Sequence, residues 1–233
     1  MRRRRARQAE PATPPVESRT RFHRDLAALE EQISDMGRRA RRALDAAVQA
    51  LAASDPAQAQ AVIDGDDDID RRYQEIERRA VELISLQQPV ATDLRLLVAV
   101  LHVALHLERI ADMAVNVAEA TRAAAELPVV PEVLRPLEEM GRAAGSMTEL
   151  AVEAFVRRDR ETCERLPAID DRIDELDRQM LGHVVAHRED PDRLAWAMQM
   201  LPVSRSLERA ADHAVDVAEQ AWFVVTGEIR ELD

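Results

Sequence analysis

LERIADMAVNVAE at residues 107–119 and LERAADHAVDVAE at residues 207–219 are two versions of one segment, set 100 residues apart in a chain of 233. If each is helical, successive side chains turn by about 100°. With Glu108 as zero, Asp112, Glu119 and Asn116 then fall at about 40°, 20° and 80°, while Val103, Leu107, Ala114 and Val117 gather on the far side. An acidic stripe opposite an apolar face is ordinarily the solvated side of an amphipathic helix. Here, however, Glu108 and Asp112 are like charges at i, i+4, an arrangement that costs a few tenths of a kcal/mol unless a cation intervenes. Arg109 and Arg209 are expected to point elsewhere, and the same pair recurs as Glu208 and Asp212.

The repeat extends beyond this segment. At an offset of 104, Asp66 and Asp70 fall on Asp170 and Asp174, and Met36-Gly37-Arg38 falls on Met140-Gly141-Arg142. The two offsets differ by one helical turn, which a hairpin can lose without losing its pattern. Turn signals at Ser54-Asp55-Pro56 and Gln87-Gln88-Pro89 divide the first copy into helices at 23–53, 56–86 and 91–125, with Asp55 as N-cap and Pro56 at the first helical position. In the second copy helices are predicted at 132–157, 160–187 and 191–226, with Arg188-Glu189-Asp190-Pro191 at the second turn. Short loops imply up-down-up packing. The predicted fold is therefore all-α, a tandem repeat of two antiparallel three-helix bundles. Residues 22–126 form the first and 132–233 the second, with a linker at 127–131 and a disordered basic tail at 1–21.

In an antiparallel hairpin, residues whose numbers add to one total sit level. That rule pairs Asp70 with Glu108 and Asp66 with Asp112 about Pro89, and Asp174 with Glu208 and Asp170 with Asp212 about Pro191. Each bundle should thus gather four carboxylates within about one turn, and such crowding raises carboxyl pKa values unless counter-charge is supplied. Oxygen-rich sets of this kind suit Mg, Mn, Fe or Zn. They also resemble the carboxylate shells of di-iron bundles, without the Glu-x-x-His partner. His213 follows Asp212 directly, but Met113 stands at the matching place in the first copy. Asn116, Glu119, Asp216 and Glu219 are weaker candidates, and an arginine-paired or solvated acidic face is the alternative.

Composition narrows the function classes. The chain carries 44 acidic residues against 32 basic ones, a net charge of -12, and every basic residue is arginine. Seven of those arginines lie in residues 1–21 beside only two glutamates, so the remainder is more acidic still, a poor partner for nucleic acid or an anionic membrane. The most apolar run, 96–107, is interrupted by His102 and His106 and is too short for the roughly 20 residues of a membrane span. A single cysteine, Cys163, fits a reducing compartment.

Met36-Gly37, Asp67-x-Ile69-Asp70, the Gln88-Pro89-Val90-Ala91-x-Asp93-Leu94-Arg95 run and the segment from Leu107 through Glu108-Arg109-Ile110-Ala111-Asp112 to Asn116 and Glu119 together resemble the PhoU family of phosphate-signalling regulators. The resemblance covers about residues 22–226. It implies paired three-helix bundles, a cytoplasmic homodimer, and Glu/Asp-x-x-x-Asp motifs that hold iron or zinc, in some members as multinuclear clusters, with Mg or Mn as lesser choices. The residues it carries over as metal ligands are Asp66, Asp70, Glu108, Asp112, Asp170, Asp174, Glu208 and Asp212. It implies a regulator, not an enzyme, that restrains phosphate-starvation signalling through the ATPase subunit of the Pst phosphate transporter and a phosphate-sensing histidine kinase. Two departures stand out. Arg41 and Gly145 occupy a first-helix position where many members have glutamate, and the second turn lacks Gln-Pro-Val-Ala.

The remaining signals read as structural. His102/His106 and His183/His187 have i, i+4 spacing without the intervening Glu of a zinc-protease motif and are expected to be surface or packing histidines. Trp196, Trp222 and the methionines read as core, with a dimer patch at the tryptophans as an alternative. There is no glycine-rich phosphate loop and no nucleophilic triad. A carboxylate-bridged hydrolase or oxidase and a metal-free helical scaffold are the competing functions.

Overall fold

A computed structural model describes residues 16–232, with side chains from Arg19 onward, so residues 1–15 of the predicted tail lie outside the described residues. The helices are α1 (Val16–Ala53), α2 (Pro56–Gln87), α3 (Ala91–Ala123), α4 (Pro131–Arg157), α5 (Arg160–Arg165), α6 (Pro167–Val185) and α7 (Pro191–Thr226). No strand occurs among the described residues. Two predicted boundaries need correction. The first helix begins at Val16, so residues 16–21 belong to it and not to a tail; Phe22 and Leu26, both buried, hold that end on the core. The helix predicted at 160–187 is broken into α5 and α6, because Pro167 has no N–H to donate and its ring clashes with the preceding turn.

Capping follows the sequence closely. Asp55 sits in extended backbone and its Oδ1 accepts from the N–H groups of Ala57 and Gln58 at 2.9 and 3.1 Å, a cap that contributes about 1 kcal/mol. Asp159 and Asp190 cap α5 and α7 in the same way. Gln88 closes α2 in the left-handed conformation, returning its N–H to the Ile84 carbonyl.

α1 buries a stripe made of Leu29, Ile33, Met36, Ala40, Leu44, Ala47 and Leu51, and α4 answers with Val133, Leu137, Met140, Ala144, Met147 and Ala151. The steps of three and four are those of helices packed nearly side by side. α3 and α7 are the central helices, packed on each other as well as within their own bundles. Among the described residues α2 touches only α1 and α3 of the helices, and α6 lies outermost in the second bundle. That position explains the near-continuous apolar run of α3, which is buried on more than one side.

The repeated Met-Gly-Arg motif marks where the bundles meet. A Cβ at Gly37 would lie 2.6 Å from Val152 Cγ2, and one at Gly141 would lie 2.5 Å from Val48 Cγ2. Val48 and Val152 are themselves repeat mates at the offset of 104, so the two contacts are related by a pseudo-twofold axis between α1 and α4. Nearby, Arg41 reaches Glu149 at 2.7 Å and Asp45 at 3.5 Å, so this departure from the family pattern is spent on the contact between bundles.

Trp196 is fully buried and Trp222 nearly so, the latter with the guanidinium groups of Arg160 and Arg230 over its ring. Neither forms the exposed patch weighed above. Cys163 is also buried; its Sγ lies 3.2 Å from the Asp159 carbonyl oxygen, and burial pushes its thiol up to about 11.

Candidate metal centre

Among the described residues, three of the eight predicted acids come together, all in the second bundle. In the second, Asp170 and Asp174 project from α6 toward Asp212 on α7, and one oxygen from each lies within 4.8 Å of the others. Burial, followed by the charges of Asp212, Asp174, Glu208 and Asp171, pushes Asp170 up to about 7. Its Oδ1 is buried with no hydrogen-bond partner in the protein. Partial burial and then Asp174 raise Asp212, with His213 opposing. Glu208 is raised by burial and Asp212 but stands apart from the three, with Arg205 Nη1 at 3.7 Å from its Oε1.

In the first bundle Asp66 is pushed up to about 6 by burial and then by Asp70, Asp112 and Asp67. Glu108 is raised by burial and Asp112, with Asp70 and Asp66 adding to this. Asp66 and Glu108 thus each feel the charges of Asp70 and Asp112, but no three of these acids bring their oxygens within 4.8 Å of one another as the second-bundle trio does. Arg109 does not point elsewhere: its Nη1 donates to Asp112 Oδ2 at 2.9 Å and its Nε approaches Glu108 Oε2 at 3.4 Å. The side chain is long enough to run along its own helix to the residue three places on, so this set carries a built-in counter-charge. Asp66 borders an open cleft of about 380 Å³ lined by α1, α2 and α3.

The weaker candidates lie elsewhere. Asn116 donates to Met113 Sδ at 3.8 Å, Glu119 is exposed, and Glu219 Oε1 accepts from the Leu232 N–H at 2.9 Å. Asp216 turns away from the α6 acids toward two imidazoles, His213 and His106, the latter from α3. Of the set-aside histidines, His102 is exposed and His187 approaches Glu132 at 4.0 Å, but His106 meets His213 across the bundles. Burial lowers the His106 pKa against the pull of Asp216; burial raises Asp216, but the hydrogen bond from His213 and both imidazoles bring it below its ordinary value.

Sequence reasoning also missed Asp177, a buried carboxylate. Ser204 Oγ donates to it at 2.8 Å and Arg205 Nη1 lies at 2.7 Å. At the offset of 104 its mate is Tyr73, so the repeat comparison gave no acidic signal there; the spacing Asp170, Asp174, Asp177 on one helix face did.

Oxygen donors from neighbouring helices, an unpartnered buried carboxylate oxygen and carboxyls raised by mutual charge fit a bound cation in the second bundle. In the first, Arg109 already neutralises part of the charge.

Comparison with known proteins matches the same geometry. The family model described as PhoU domain fits twice, at residues 33–121 and 137–221, once in each bundle. A phosphate-specific transport system accessory protein PhoU homolog of Caulobacter vibrioides is 32% identical over 89% of this chain and 90% of its own length. A PhoU homolog 1 of Mycobacterium leprae is 35% identical over 92% and 97%. The crystal structure of PhoU from Pseudomonas aeruginosa superposes with a TM-score of 0.84 at 29% identity, covering 89% of this chain and 100% of that one. That of the phosphate transport system regulatory protein PhoU from Streptococcus pneumoniae gives 0.83 at 25% identity, over 91% and 100%. Two family matches that coincide with the two bundles, and relatives matched along nearly their whole length, place this chain in the PhoU family.

Proposed function

We propose that the chain is a PhoU-type accessory regulator of phosphate uptake and phosphate-starvation signalling, acting in the cytoplasm as a homodimer by contact with the ATPase subunit of the Pst transporter and a phosphate-sensing histidine kinase. The observation that carries this reading is end-to-end similarity to proteins named as accessory to phosphate-specific transport. No helix among the described residues is long and apolar enough to cross a membrane, which fits a partner that docks on a transporter from outside the bilayer.

Asp170, Asp174 and Asp212, with Glu208 beside them, would hold a metal in the second bundle, iron or zinc by the family resemblance; Asp66, Asp70, Glu108 and Asp112 would do so in the first only if Arg109 swings away. A bound cation would supply neutralising charge. The chain's own contribution is to orient the acids from α6 and α7 and so fix the relative position of those helices. The regulatory reading is favoured over a hydrolase or oxidase by the accessory role named for the relatives.

Affinity capture with the untagged full chain, immobilised through an antibody, should recover the transporter ATPase or the kinase from lysates of phosphate-replete cells. Recovery of neither, in replete and in starved lysates, overturns the reading.

A further inference from the structure

We propose that His106, His213 and Asp216 form a second kind of cation site, selective for zinc over magnesium, that ties the two bundles together across the α3–α7 contact. Three donor atoms define it. His106 Nδ1 and His213 Nδ1 are 3.3 Å apart, and each is 3.2 Å from Asp216 Oδ2. Zinc bonds of about 2.0–2.1 Å in a tetrahedron put the ligand atoms about 3.3–3.4 Å from one another. The triangle therefore has the edge length of one tetrahedral face, and a water would complete the shell at the fourth corner.

Hydrogen bonding accounts for this triangle less well. If one Nδ1 carries a proton, that proton is shared between two acceptors and the remaining edge has none. If both carry protons, two N–H groups face each other. If neither does, three lone pairs converge. A cation satisfies all three edges at once. Both imidazole side chains are 19% exposed and Asp216 is 39% exposed, so the site is shielded yet reachable. His213 Nε2 is buried without a partner, which leaves Nδ1 as the nitrogen engaged here.

The pseudo-twofold axis supplies an internal control. At the offset of 100 the mates of His106, His213 and Asp216 are Ser206, Met113 and Asn116, and at that mirror place Asn116 simply contacts Met113 Sδ. Ser206 and Met113 are buried, so the interface tolerates these residues at the same depth. The imidazoles are thus not needed to pack α3 on α7. Imidazole nitrogen also separates this site from the all-oxygen acid sets, because nitrogen donors favour zinc whereas carboxylates alone serve magnesium and manganese.

Untagged, chelator-stripped full chain is titrated with cobalt(II) and then zinc. One equivalent of cobalt should give the strong visible absorption of a four-coordinate site, and one equivalent of zinc should abolish it. His106→Ser and His213→Met, which install the mirror residues, should each weaken zinc by more than about 100-fold, since even loss of a supporting residue costs 10–100-fold. Asp170→Asn with Asp174→Asn should leave the cobalt absorption in place. Unchanged zinc affinity in both histidine variants overturns the proposal, as does absorption that vanishes with the α6 substitutions instead. Should a histidine variant unfold, imidazole nitrogen resonances of the unaltered chain decide: zinc must shift Nδ1 of both rings, and resonances that stay in place overturn the site.

Discussion

Replacing Gly141 by leucine is expected to lower folding stability by about 3 kcal/mol, at the upper end for overfilling a packed interior. Even a methyl group there would lie 2.5 Å from Val48 Cγ2, so the valine or one of the two helices has to shift, and a leucine demands more. Gly37→Leu should behave alike against Val152, as the pseudo-twofold demands. Two comparisons make the expectation specific. Gly141→Ala paired with Val48→Ala should recover most of the stability that Gly141→Ala loses. Gly182→Ala, with nothing within 4 Å of the added carbon, should stabilise by up to about 1 kcal/mol through helix propensity alone. Urea unfolding of the variants checks all of this; equal effects at Gly141 and Gly182 would contradict the close approach.

The second large effect is on pH. In the folded chain Asp170 sits at about 7 and Asp66 at about 6, against an ordinary 3.8. A folded state that binds these protons more tightly is favoured where they are bound. This contribution is full below about pH 4 and is lost as pH rises through about 6 to 7. Asp35 and Asp68 act oppositely: hydrogen bonds from Arg39 and Arg72 respectively lower them, so their contribution is present above about pH 4 and is lost as pH falls below it. Chelator-stripped protein should therefore melt highest near about pH 5 and lower at pH 8. Asp170→Asn, which is neutral throughout, should flatten that slope and raise the melting temperature of stripped protein at pH 8. A flat or rising profile in the stripped parent chain would count against the electrostatic account of the acid set.

Much of this was legible in the sequence because the duplication supplies two readings of every important position. Asp66 and Asp70 against Asp170 and Asp174 fixed the acidic faces, and Asp55-Pro56 with Gln88-Pro89 fixed the turns. The misreadings fall where the copies differ or where a contact is long in sequence. Pro167 has no matching proline at Ile63, and its break between α5 and α6 was hidden inside an otherwise helical pattern. Arg109 was assigned by helix angle alone, which describes where a Cβ points and not how far a guanidinium can reach. His106 and His213 stand 107 residues apart, and nothing in either local segment announces the other. The Met-Gly-Arg motif was visible as a repeat, but its meaning needed the valines across the crossing.

Cys163 sits beside the Pro167 break, sealed in the core with its proton held up to about 11. Burial and the raised pKa both slow its reaction with an alkylating reagent until that corner loosens. The chain thus carries its own single-site clock, and the rate at which an electrophile marks it reads how often the cover over Cys163 opens; comparison with the global unfolding rate tells whether α5 lifts by itself.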